Sequence, residues 1–78
     1  MKQLFRVKNV EEGRNVVYAI ETDDTGEVVL TNYILSDGQP LDIRRTRYKT
    51  LQELKSALSP ERSPTHRIIV DFIEGKKT

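Results

Sequence analysis

TLQELKSALS, Thr50 to Ser59, decides how this chain is read, together with the basic run IRRTRYK, Ile43 to Lys49, that leads into it. Thr50 stands three residues before Glu53, the T-x-x-E spacing of a capping box, in which the threonine hydroxyl accepts from the Glu53 N–H. Leu51, Leu54 and Leu58 recur at helical spacing with Ala57 beside them, and Gln52, Glu53, Lys55 and Ser56 fall off that stripe. Pro60 lacks an N–H and disfavours helical geometry at Ser59, so the pattern predicts a helix over residues 50–59. A helix of roughly two to three turns does not persist alone in water. It needs a sheet to lie on.

The flanking sequence supplies one. Leu4 to Val10 alternates weakly, with Phe5 and Val7 on one face and Arg6 and Lys8 on the other, as an edge strand does. Asn15 to Thr22 and Glu27 to Leu35 are stronger strands, each apolar on both faces. Turn chemistry separates these runs at Glu11–Arg14 and Asp23–Gly26, and a five-residue loop around Asp37-Gly38 follows. Leu41 to Tyr48 reads as a fourth strand with Leu41 and Ile43 inward, Arg45 and Arg47 sharing their parity, and Arg44 on the opposite one. A proline-stiffened linker, Ser59 to Thr65, leads to His66–Glu74, HRIIVDFIE, the most apolar run, which is expected to be a last strand inside the sheet. The expectation is a single α+β domain over residues 1–78. Its order is β-β-β-β-α-β, a mostly antiparallel sheet covered on one face by one helix, with a frayed tail at residues 75–78.

Composition bounds the function classes. Seventy-eight residues make one domain in which core size limits stability. There is no cysteine, so neither a disulfide framework nor a cysteine-based zinc site supplements that core, and a reducing, cytoplasmic setting is expected. No apolar run approaches the ~20 residues that span a bilayer, and MKQLFRVKNV is too short and too charged for a signal peptide, so no membrane partner is expected. The net charge of +1 conceals an asymmetry. Residues 1–40 carry four Lys/Arg against seven Asp/Glu, a balance of −3, and residues 41–78 carry nine against five, a balance of +4.

That asymmetry centres on Arg44, Arg45, Arg47 and Lys49 with Tyr48 among them, and Lys55 and Arg67 are expected to extend the patch. Guanidinium groups bind phosphate oxygens bidentately, and an adjacent aromatic can stack on a base. The plainer reading is a solvated strand end paired with Glu21, Asp23 or Glu27. Asp23, Asp24 and Glu27 around Gly26 lack EF-hand spacing and read as a turn. His66, the sole histidine, has no companion nucleophile motif, and the four glycines stand singly, so neither catalysis nor a cofactor is expected. Three strands, a basic stretch and a helix opening Y-K-T-x-x-E-L (Tyr48 to Leu54) resemble the arm-type DNA-binding domain of tyrosine recombinases over roughly residues 15–58. The resemblance implies a sheet that enters the major groove.

The function expected is therefore a non-enzymatic binding module that contacts nucleic acid through Arg44–Lys49. The alternative is a protein-interaction or regulatory module of the adaptor, inhibitor or mobile-element type, homodimeric through an apolar sheet face or a strand edge.

Overall fold

The alternating runs of the first half build four strands in a computed structural model that describes residues 1–76. They are β1 (Lys2–Glu11), β2 (Arg14–Thr22), β3 (Val28–Ser36) and β4 (Gln39–Tyr48), paired antiparallel in the order β1-β2-β3-β4. This is the meander that short connections impose. The expected five-residue loop shrinks to a two-residue turn, because Ser36 and Gln39 are already paired and Asp37 and Gly38 take φ of 52° and 76°. Asp23 organises the β2–β3 turn. Its Oδ1 accepts from the Thr25 and Glu27 N–H groups at 2.9 and 3.0 Å and from the Thr25 hydroxyl at 2.6 Å, so this acidic cluster is a turn with its acceptor already occupied.

Two helices follow, α1 (Leu51–Ser56) and α2 (Pro64–Ile73). Thr50 caps α1 as its spacing predicts, its hydroxyl accepting from the Glu53 N–H at 3.1 Å. The helix stops short of Pro60: the Ala57 and Leu58 N–H groups bond three residues back, to Leu54 and Lys55, and close the last turn.

The second helix corrects the strand expected over His66–Glu74. Three local devices set it. Ser63 is an N-cap whose hydroxyl accepts from the His66 N–H at 3.2 Å, and Pro64 sits at the first helical position, where a missing N–H costs nothing. Gly75, at φ 75°, makes a Schellman end, with Gly75 N–H on the Phe72 carbonyl at 3.1 Å and Lys76 N–H on the Asp71 carbonyl at 2.7 Å. Thr65, Ile69, Phe72 and Ile73 then line one face at helical spacing. Isoleucine and valine favour strands by propensity, but caps and burial decide here. The tail expected at 75–78 is a helix cap at Gly75 and Lys76, and residues 77–78 lie outside the described residues.

Both helices lie on one side of the sheet. Ile20, Val28 and Leu30 from the sheet meet Leu54 of α1 and Ile69 of α2 in the buried core. Phe5 stacks on Phe72 with ring centroids 4.4 Å apart, which seats the end of α2 on β1. Near its start, Asn9 donates to the Thr65 hydroxyl at 3.1 Å and Ser63 donates to Glu11 at 3.0 Å. Among the described residues no helix is long and apolar enough to cross a membrane.

His66 fastens the linker between the helices. Its Nδ1 accepts from the Ser59 N–H at 3.0 Å, so the neutral ring carries its proton on Nε2 and donates it to the Tyr18 hydroxyl at 3.3 Å. Burial lowers its pKa below the ordinary 6.5, against an opposing pull from Glu11 and Glu61. A base with a depressed folded-state pKa contributes stability that is whole above its unfolded value and is lost as pH falls through the folded one. Thermal stability of the wild type should therefore begin to fall on acidification just below pH 6.5. A His66→Gln variant, less stable by about 1–2 kcal/mol from its lost bonds, should show a flatter profile there. Equal slopes in both proteins would remove His66 from this role.

Candidate nucleic-acid interface

Antiparallel partners share a side of the sheet, so the register places every strand residue. Ile20, Leu30 and Thr46 form a row on the helix side. The rows between belong to the open side, on which neither helix packs. One is Lys8, Val17 and Tyr33; the next is Arg6, Ala19, Thr31 and Arg45; the third holds Glu21, Val29 and Arg47. The small side chains at the centre sink among longer neighbours: Val17, Val29 and Thr31 are 0%, 4% and 7% exposed. Cations stand exposed along both margins, Arg6 and Lys8 on β1 and Arg45 and Arg47 on β4. Three strand spacings separate these margins by roughly 14 Å.

This arrangement divides the residues expected to act together. Register shifts between Asn32 and Ile34 because Asp42, at φ 54°, is an extra residue in β4. The bulge breaks the parity read from sequence. Leu41 stands beside Ile34 on the helix side, and Ile43, Arg45 and Arg47 share the open one. Neither Leu41 nor Ile43 turns inward, at 51% and 55% exposed. Arg44 points to the helix side, where it lines a shallow concavity of about 330 Å³ with Arg14, Tyr18 and Asn32. Tyr48 packs against the core, and Lys49 is exposed where β4 meets α1.

Lys55 and Arg67 do not extend the patch. Lys55 pairs with Glu74 at 3.2 Å, tying α1 to α2, and Arg67 lies on α2 within 3.9 Å of Asp71. Arg67 was expected on a strand facing the basic run, and the helical fold of that segment moves it away. Arg47 is partly neutralised, bonded to Asp23 and 3.8 Å from Glu27. The Thr25 hydroxyl, the Thr25 and Glu27 N–H groups and Arg47 hold the Asp23 carboxyl below its ordinary range, against a smaller opposing effect of burial. Among the described residues Arg6, Lys8 and Arg45 form no ion pair, and Arg6 makes a long bond of 3.4 Å to the Tyr33 hydroxyl.

No family model, curated protein or solved structure matches this chain. The resemblance to arm-type recombinase domains gains nothing from these comparisons, and β1 and α2 lie outside the residues that carry it. The reading of the interface rests on its own residues. Sequence alone did not single out Arg6, Lys8 and Tyr33, which the register places on the same side as Arg45. The signal for the first two was the alternation Phe5-Arg6-Val7-Lys8, which fixes both cations on the side away from the core.

Proposed function

We propose that the protein binds nucleic acid through the open side of its sheet. The observation that carries this reading is the convergence of Arg6, Lys8 and Arg45, from the two edge strands, on a side no helix covers. Cations with no carboxylate partner exchange their counterions for phosphates at little desolvation cost, and no helix occupies the side between them. The patch proposed from sequence thus keeps Arg45, with Arg47 in reserve behind its ion pairs, and gains Arg6 and Lys8. Arg44, on the helix side, falls outside it, and Lys49 lies just past the end of β4.

The competing proposal is a protein-interaction or regulatory module, homodimeric through an apolar sheet face or a strand edge, and both edges carry features that blunt pairing there. β4 has Pro40, the Asp42 bulge and three arginines; β1 has a register shift near Leu4 and alternating cations.

The test is a fluorescence-anisotropy titration with short oligonucleotides at several salt concentrations. Affinity should fall linearly on a log–log plot, and Arg6→Ala or Arg45→Ala should each reduce the slope by about one. Absence of binding at low salt, or affinity that ignores salt, would sink the reading.

A further inference from the structure

The apolar content of the open side indicates which form of nucleic acid it suits, an inference that rests on the nucleic-acid reading above. The bulge sets Asp42 and Ile43 opposite Tyr33, and Ile43 shares the side of Arg45. Tyr33 is half-buried and Ile43 is 55% exposed, so the two form an apolar ledge between the cations of the margins. Val10, 62% exposed, and the half-buried Leu35 continue it along the same side. A duplex turns phosphates and base edges outward, and its base faces are stacked away inside. Only unpaired bases offer the flat apolar faces that such a ledge desolvates.

We propose that the open side takes single-stranded nucleic acid, one base stacking against Tyr33 and Ile43 while neighbouring phosphates meet Arg6, Lys8 and Arg45. The experiment compares a fluorescent oligothymidine with a duplex of equal length, using the full chain at low salt. The single strand should bind about tenfold or more tighter. Tyr33→Ala should weaken it roughly 5- to 100-fold with an unchanged salt slope, because stacking carries no charge. Ile43→Ser, at an exposed position that leaves the core intact, should weaken it in the same way. Leu41→Ser, on the opposite side, should have no effect.

A duplex bound as tightly as the single strand would overturn the proposal. So would unchanged affinity in Ile43→Ser and in a Tyr33→Ala protein whose circular dichroism is native. Both outcomes leave binding through phosphates standing, whereas failure of both oligonucleotides to bind removes this inference and its parent together.

Discussion

Reversing Arg6 and Arg45 together, as Arg6→Glu/Arg45→Glu, should weaken oligonucleotide binding by roughly 10²- to 10⁴-fold at low salt, because each charge-assisted bond to phosphate contributes about 1.5–3 kcal/mol. The two residues belong to one cross-strand row, at its opposite ends, with Ala19 and Thr31 between them. One on β1 and one on β4, they test the whole width of the surface. Both are exposed and unpaired among the described residues, so the protein should stay folded, with unfolding free energy within about 0.5 kcal/mol of wild type. Lys55→Glu/Arg67→Glu makes the matching control on the helix side, where the same change in net charge should leave binding nearly untouched. If both variants lose affinity equally, net charge and not the open side governs binding. Anisotropy titrations of the two proteins beside wild type, each checked by circular dichroism, decide the matter.

The second large effect concerns stability. Ile69→Ala should cost about 2–5 kcal/mol, the usual loss for deleting buried methyl groups and leaving a cavity. Ile69 is 0% exposed in the cluster that joins Ile20, Leu30 and Leu54, so one truncation loosens both helices from the sheet. For a domain this small, that is a large share of a total stability of about 5–15 kcal/mol. Ile68→Ala should cost clearly less, since Ile68 is half-buried. A strand over the same residues would reverse the order, because Ile68, Val70 and Phe72 would then face the core and Ile69 the other side. Urea denaturation of the two variants measures the difference directly. A larger loss at Ile68 than at Ile69 would contradict the helix.

That contrast marks how far the sequence could be read. Period-two alternation between turn residues sets the four strands, because Phe5, Tyr18, Ile20 and Leu30 must reach one core while their neighbours face away. The Thr50 cap likewise announces α1. HRIIVDFIE misleads because its apolar residues, Ile68, Ile69, Val70, Phe72 and Ile73, are of types that favour strands, although Arg67, Asp71 and Glu74 stand at helical spacing. Its direction lies in the flanks: Ser63-Pro64 before it and Gly75 after it are helix boundaries, although two prolines so close together resemble a linker.

The candidate site divides in the same way. Local composition alone marks β4 as basic, and alternation alone sends Arg6 and Lys8 away from the core. Whether cations at opposite edges of a sheet act on one surface depends on strand order and register, which are long-range properties. The extra residue at Asp42 settles the rest. A one-residue insertion flips every side chain beyond it, so it sends Leu41 to one side and Ile43, Arg45 and Arg47 to the other. The fold class, the meander and the basic character of the chain's second half follow from the sequence by itself, because they depend on local turns, alternation and charge. The helical state of the last segment and the gathering of Arg6, Lys8, Tyr33 and Arg45 on one open side belong to the tertiary structure. Only packing chooses between two periods for an apolar run, and only register brings distant strands to a common face.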